Sequence, residues 1–353
     1  MGRIYIFRWL SMIKQLIFDL DLYESYESGA RQILETAHAF EKFYVLSAAV
    51  EHNIFDFLLE PKTSSELADL IGLHGIMTEK LCRAMMSMAL LAKNGDKYAL
   101  TDLSKKFLIN SSQYYQGDLI KLLKKTREER WSNLSEALKK GPIEIPRDHT
   151  IFDRSFILAM AEAAIGGSMQ RTVRALRKNE DFMRAKRILD LGGGHGLYSV
   201  AFTQLNPGLE ATVFDFPQVI EGITKEIVSA YNDKVKFIQG DLATDGIGSG
   251  YDVVFVSDVL YRPEASLVPI LKKINTSLND GGLLISKHYH LDDISEDQTA
   301  VFFDLMFTIS GGIDLVHSSA KFCDFIEDSG FSVVHVEEIG SPSKIIIAKK
   351  VMK

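Results

Sequence analysis

The sequence predicts an α/β protein: a doubly wound, mostly parallel seven-stranded sheet preceded by a smaller α-helical winged-helix domain. Three observations carry that expectation. From Ala185 onward short β-rich runs alternate with helical patterns, and a glycine-rich turn, Gly192-Gly193-Gly194-His195-Gly196, closes the first of those runs. Earlier in the chain, two helical stretches and a tight turn precede residue 101.

At 353 residues the chain is too long for one ordinary core and reads as two domains. Hydrophobic residues make up 46% and charged residues 25%, the balance of a globular protein. A net charge of -7 disfavours a protein built to grip nucleic-acid phosphates. Cys82 and Cys323 have neither disulfide nor metal-ligand spacing, so a reducing cytoplasm is the expected setting. Arg3, Arg8 and Lys14 interrupt the apolar residues of Met1–Leu20, and no apolar run reaches the length of a membrane span.

From Ser28 to Leu59 apolar residues recur at helical spacing (Ile33, Leu34, Ala37, Phe40, Phe43, Leu46, Val50), and such a face needs a partner. Thr63-Ser64-Ser65-Glu66 predicts a capped helix start, because a hydroxyl can accept from free backbone N–H groups while Glu66 supports the first turn. A second helix near Met77–Ala92 follows the turn at Gly72–Gly75. Asn94-Gly95-Asp96 then predicts a tight turn, and Lys97–Leu100 leads into Thr101 as the next cap. Between Gln113 and Glu180 the pattern is helical, broken at Gly141-Pro142 and at Pro146. The expected strands are Arg187–Leu191, Glu210–Asp215, Val235–Gln239, Val253–Ser257, Gly282–Tyr289, Ser332–Glu338 and Lys344–Lys349, with the chemistry at their C-terminal edges.

Glycines in the Gly192–Gly196 turn let the backbone bend sharply and approach a ligand closely. On its own such a turn would also suit a dinucleotide dehydrogenase. Three acids separate the readings. Asp190 precedes the glycines, where a carboxylate can meet the ammonium of an amino-acid cofactor and would repel a pyrophosphate. Asp215, ahead of Phe216, is placed to accept from two ribose hydroxyls, and Asp241, in Gly240-Asp241-Leu242, to hold an adenine amino group. That acceptor-rich groove suits a cationic sulfonium nucleoside, S-adenosyl-L-methionine. The cofactor candidates are Asp190, Gly192, Gly194, Gly196, Asp215, Phe216, Gly240, Asp241, Leu242 and Ser257.

Taken in order, Thr63-Ser64-Ser65-Glu66-Leu67-Ala68, Tyr98-Ala99-Leu100-Thr101, Trp131–Leu138, Ala159-Met160, Gly192–Gly196 and Phe214-Asp215-Phe216-Pro217 resemble the winged-helix-plus-Rossmann methyltransferases. That family includes plant caffeic acid, animal hydroxyindole and bacterial polyketide O-methyltransferases. The resemblance implies a Rossmann-like S-adenosylmethionine methyltransferase domain, S-adenosyl-L-homocysteine as product and a small, mostly apolar aromatic or cyclic acceptor, with O-methylation favoured. It also implies an intertwined homodimer built by the N-terminal helices, and no metal, nucleic acid or membrane partner. The expected segments are 1–27, an N-terminal extension; 28–112, the winged-helix dimerisation domain; 113–180, a helical linker contributing to the substrate pocket; and 181–353, the catalytic domain. By family position Trp131, Phe156, Met160, Ala164, Phe302, Phe303, Met306 and Phe307 are candidate pocket walls, aromatic and sulfur side chains suiting a flat apolar acceptor.

Two departures bear on mechanism. Tyr261 in Ser257-Asp258-Val259-Leu260-Tyr261 stands where the O-methylating members carry a catalytic histidine, and a phenol with an ordinary pKa of about 10 is a poor base at neutral pH. A tyrosine there also resembles the bacteriochlorophyllide C-20 methyltransferase, which methylates a ring carbon, so C-, N- or S-methylation is an alternative. His288 stands near the position of a family carboxylate. Strand alternation puts His288 and His290 on one face and Lys287 and Tyr289 on the other. Tyr261, His288 and His290 are therefore the candidates for proton transfer. His288 and His290 with Asp292 and Asp293 form a weak metal pattern, and no metal is expected; His195 reads as a spacer in the glycine turn. More distant alternatives are a protein that binds the cofactor without methyl transfer and a winged-helix regulator on DNA. Against the latter, the second helix has Lys80 and Arg83 but also Met85, Met86, Met88, Leu90 and Leu91.

Overall fold

The computed structural model of the chain describes residues 23–144, 151–231, 235–292, 298–340 and 342–352, with side chains from residue 28 onward. Met1–Leu20, Pro146 and Asp293 lie outside the described residues. Two compact units divide the chain, Met1–Ile109 and Asn110–Lys353. No helix among the described residues is long and apolar enough to cross a membrane.

In the first unit a long helix, Tyr23–Glu51, is followed by Ile54–Phe57, Ser64–Ile71 and Gly75–Ser87, then by a hairpin of β1 (Leu91–Asn94) and β2 (Lys97–Leu100) and by the helix Asp102–Phe107. Thr63 caps its helix as the sequence predicts. Its Oγ1 accepts from Glu66 N–H at 3.2 Å, and Glu66 Oε2 accepts from Thr63 N–H at 2.7 Å. Pairing of Asn94 with Lys97 leaves Gly95 and Asp96 as a two-residue loop, and Gly95 takes a φ of 61°, which a glycine adopts without strain. Ile54, Phe55, Leu67, Cys82 and Met85 are fully buried, each large side chain contributing about 1.5–3 kcal/mol. The long helix behaves differently: Ile33, Leu34 and Phe40 are 73%, 56% and 65% exposed, so this apolar row has no cover among the described residues of its own unit.

The second unit contains both the helices before residue 185 and the sheet, so the expected linker is part of the catalytic body. Its helices Gly117–Glu129, Leu134–Lys140, Arg154–Ala163, Met169–Leu176 and Glu180–Arg184 precede β3 (Arg187–Leu191). Gly141, at a φ of 90°, stops the second of them at the predicted break. All seven expected strands are present: β3, β4 (Glu210–Asp215), β5 (Lys236–Gln239), β6 (Tyr251–Ser257), β7 (Leu278–Tyr289), β8 (Phe331–Glu338) and β9 (Ser343–Lys350). Their order is β5-β4-β3-β6-β7-β9-β8. Pairs from β5 to β7 are parallel, and β9 runs antiparallel to both its neighbours.

Because β4 lies on one side of β3 and β6 on the other, the connections leave in opposite directions and a crevice opens beyond the C-terminal ends of β3 and β6. Strand alternation sorts the core into two layers. Ile188, Val253 and Phe255 pack with Tyr198 and Phe202, whereas Leu189, Leu191, Val254 and Val256 pack with Leu267, Leu271 and Phe322. Removing the Thr63 cap should cost about 1 kcal/mol. Thr63→Ala is therefore expected to lower the urea midpoint of the first unit's unfolding transition, and an unchanged midpoint would show that the cap contributes nothing.

Candidate active site

The turn after β3 is shaped by what surrounds it. Gly192, Gly194 and Gly196 have φ of 69°, 50° and 71°, the left-handed region that favours glycine. A Cβ on Gly192 would lie 2.6 Å from Val259, and one on Gly196 would lie 2.4 Å from Val228. Gly194 N–H donates to Asp215 Oδ2 at 2.8 Å, and Thr224 Oγ1 donates to the Gly194 carbonyl. The turn is thus fastened to the end of β4 and opens the helix Leu197–Leu205. His195, within it, is 7% exposed and stacks on Tyr198; its Nδ1 accepts from Leu197 N–H, so the ring is an internal brace for the turn.

Asp190 is not where the sequence places it. It is 1% exposed, accepts from Ser199 Oγ at 2.8 Å and lies directly beneath Gly193, where a Cβ would come within 2.8 Å of its carboxyl carbon. Burial pushes its pKa up to about 7, with Asp215 adding to the effect against the Ser199 hydrogen bond. This carboxylate supports the turn from below, buried against Ser199 and Gly193.

Asp215 lies at the end of β4 as predicted, with Oδ1 accepting from Phe216 N–H at 2.7 Å and Oδ2 from Gly194 N–H. Burial raises its pKa, and the two backbone donors oppose that. Each oxygen retains acceptor capacity. Asp241 Oδ1 accepts from Ala243 N–H, Leu242 is buried, and a Cβ on Gly240 would lie 2.9 Å from Phe214. Phe216 stacks on Phe152, centroids 5.9 Å apart.

Of the residues expected to move a proton, Tyr261 and His288 are fully occupied, while His290 is occupied at one nitrogen and burial holds its pKa down to about 4. Tyr261 OH donates to Asp258 Oδ1 at 2.8 Å and accepts from Tyr289 N–H at 2.8 Å. Burial, then the Asp258 charge, pushes this phenol well above its ordinary value, the wrong direction for a base. His288 Nε2 accepts from the N–H groups of Val259 and Leu260 at 3.1 and 2.9 Å, so the ring proton sits on Nδ1, 2.7 Å from Ser286 Oγ. His290 Nδ1 donates to the His317 carbonyl, while its buried Nε2 has no partner among the described residues. Both histidines face Phe322, on the same side of the strand, as alternation predicts.

Lys287 points to the other side and forms an ion pair with Asp258, which sequence reasoning missed. The lysine is 5% exposed and the aspartate 36%. Asp258 also accepts from Ser257 Oγ at 3.1 Å and takes a φ of 57°, unusual for a side chain with a Cβ, while its own N–H donates to the Lys287 carbonyl. Burial, the largest single effect, pushes the Asp258 carboxyl up, but the Lys287 ammonium, His288 and the hydrogen bonds from Lys287 and Tyr261 together hold it below the usual carboxylate value. The one visible signal was a lysine at an inward position of a strand otherwise buried; its partner lies about thirty residues away.

The predicted pocket walls separate into groups. Phe303 and Phe307 pack on the Tyr261 ring at 5.0 and 6.0 Å, and Phe303 also meets Tyr289. Trp131 meets Phe302 of the same helix, Gln298–Ile309, which also carries Met306. Phe156 instead joins Phe152, Ile157 and Phe216 near the cofactor candidates, and Met160 is half-buried on its helix. Ala164 is 5% exposed within the main core, so it supports the wall from behind.

A sheet in this order, a ligand-facing glycine turn and an aromatic-lined end of β7 define a methyltransferase with a Rossmann-like fold behind a helical N-terminal domain. Residues 125–332 match the O-methyltransferase domain and residues 34–110 the O-methyltransferase dimerisation domain. The chain belongs to the O-methyltransferase family. It is 28% identical to an uncharacterised protein of Methanocaldococcus jannaschii, across 87% of this chain and 93% of that one. It is 24% identical to the N,N-dimethyltransferase OxyT of Streptomyces rimosus, across 88% and 93%. The crystal structure of human N-acetylserotonin methyltransferase in complex with SAM shares the fold, with a TM-score of 0.82 at 22% identity over 92% of this chain and 98% of that one.

Burial lowers the pKa of His288 to about 3 and that of His195 to about 4, from an ordinary 6.5. Folding thus favours the neutral rings: their contribution is complete above pH 6.5 and is lost as pH falls toward 3. Site-resolved imidazole NMR should find both rings neutral at pH 5, with the His288 proton on Nδ1. Protonation of either near pH 6.5 would contradict this geometry. Asp190 titrates with the opposite sign, so the measurement must be made residue by residue.

Proposed function

We propose that the protein transfers a methyl group from S-adenosyl-L-methionine to a small, mostly apolar aromatic or cyclic acceptor. The acceptor atom is one that is already nucleophilic at neutral pH: an amine nitrogen, an electron-rich ring carbon or an ionised acidic hydroxyl. The observation that carries this reading is the commitment of Tyr261, His288 and His290 to internal hydrogen bonds or to a buried apolar face. None of them is poised to take a proton from a neutral hydroxyl.

The donor site fits the residues present. The bend can form only with glycines at 192 and 196, where a Cβ would strike Val259 or Val228, and Asp215 keeps acceptor capacity for ribose hydroxyls. The donor supplies a methyl on a positively charged sulfur that leaves by in-line displacement. This chain's residues bind and orient. Gly192–Gly196 and Asp215 hold the nucleoside, Phe216 and Leu242 flank the base, and Phe303, Phe307 and Tyr261 wall the acceptor in a water-poor space.

Incubation with a panel of amine, ring-carbon and phenol acceptors, with S-adenosyl-L-homocysteine as the readout, tests the reaction. Turnover is expected with intrinsically nucleophilic acceptors, and Tyr261→Phe should keep the pH profile of wild type. Turnover confined to neutral alcohols, with a Tyr261-dependent pH limb, would overturn the reading.

Two copies are proposed to associate through the first unit, which matches a dimerisation domain and leaves Ile33, Leu34 and Phe40 uncovered. Phe40→Asp should weaken self-association by about tenfold or more in sedimentation equilibrium. A monomeric wild type would remove this proposal.

A further inference from the structure

The correction at Asp190 leaves a question of recognition. A donor with an amino-acid end carries an ammonium group, and the acid expected to meet it is sealed beneath the glycine turn. Asp215, at the end of β4, is the acceptor read above for the ribose hydroxyls, and Asp241 Oδ1 accepts from Ala243 N–H within its own loop.

One further carboxylate borders the turn. Val259, the residue after Asp258, is the side chain that a Cβ on Gly192 would strike, so the segment following β6 packs directly on the glycine turn. Asp258 is about a third exposed, whereas its partner Lys287 is buried. It is held firmly there. Lys287 and Ser257 occupy Oδ2, Tyr261 occupies Oδ1, and the Asp258 N–H is tied to the Lys287 carbonyl. A left-handed backbone at a non-glycine residue, kept by this many partners, is what structures retain where a side chain must be aimed. A carboxylate has about four acceptor positions, and these contacts use three. One acceptor position is left over.

We propose that Asp258, braced by Lys287, is the carboxylate that receives the ammonium of the donor's amino-acid end, in place of Asp190. Lys287 keeps Asp258 ionised and fixes its orientation, acting as a positioning residue; Asp258 makes the contact. The inference rests on the donor reading above, and the two fail differently.

Calorimetry with two probes separates them. S-Adenosyl-L-homocysteine carries the amino-acid end; 5′-methylthioadenosine keeps the nucleoside and sulfur and lacks it. Wild type should bind the former more tightly. Asp258→Asn should weaken S-adenosyl-L-homocysteine by about ten- to a hundredfold, the effect of losing one charge-assisted hydrogen bond, and leave methylthioadenosine within about twofold. Because Asp258→Asn strands a buried lysine, the double variant Asp258→Asn with Lys287→Met removes both charges together and should show the same selective loss. Equal loss for both probes, or no loss for either, overturns the inference while leaving the donor reading intact. Failure of wild type to bind S-adenosyl-L-homocysteine overturns the donor reading itself, and with it this assignment.

Discussion

The close approach of the 192–196 turn to the strands around it is the constraint on which the site depends. Val259 presses on it from the end of β6, Val228 from the helix Lys225–Ser229, and Asp190 from below, leaving no room for a Cβ at three successive contacts. The hydrogen bond from Gly194 N–H to Asp215 then joins the ends of β3 and β4. What the turn gains in proximity to a ligand it owes to the absence of side chains, and the residues that press on it belong to the segments that carry the acids and the acceptor wall. A change of packing at Val259 or Thr224 would therefore reach the ligand without touching it.

The polar groups at the end of β7 show how one strand can serve two layers. Ser286, His288 and His290 turn toward Phe322 and the loop backbone, whereas Lys287 and Tyr289 turn toward Tyr198 and the cleft. The imidazole of His288 receives two backbone N–H groups of the segment that carries Tyr261, and Tyr261 in turn receives the N–H of Tyr289. These are reciprocal ties between β7 and the loop after β6. They make that loop a fixed part of the site's floor, with a histidine and a tyrosine spent on holding backbone.

Local signals in the sequence were read correctly because each depends on neighbours in the chain. The Thr63–Glu66 capping box, the Gly95 turn, the break at Gly141 and the face-sharing of His288 with His290 all follow from helical or strand periodicity. What escaped was set by tertiary packing. Asp190 sits two residues before the first glycine, and only its contact with Ser199 shows that it points inward. Nothing in the local pattern around Tyr261 reveals that Asp258 and Tyr289 claim its hydroxyl from both sides, and the Lys287–Asp258 pair joins β7 to the loop after β6. Ala164 is expected at the pocket wall by family position, yet it is buried in the core cluster that includes Leu176 and Phe182, which no local periodicity indicates.

The position of β9 constrains how the sheet is completed. It lies between β7 and β8 although it follows both in the chain, so β8 has no neighbour in the sheet until β9 has been inserted. During synthesis the stretch Phe331–Glu338 thus emerges as a strand with two open edges, carrying Val333, Val334 and Val336. Until the later strand threads between them, β7 also exposes a row of backbone donors and acceptors beside Ile285 and Lys287. The edges of β7 and β8 are satisfied together only when β9 enters between them, so the three C-terminal strands complete the sheet as one unit.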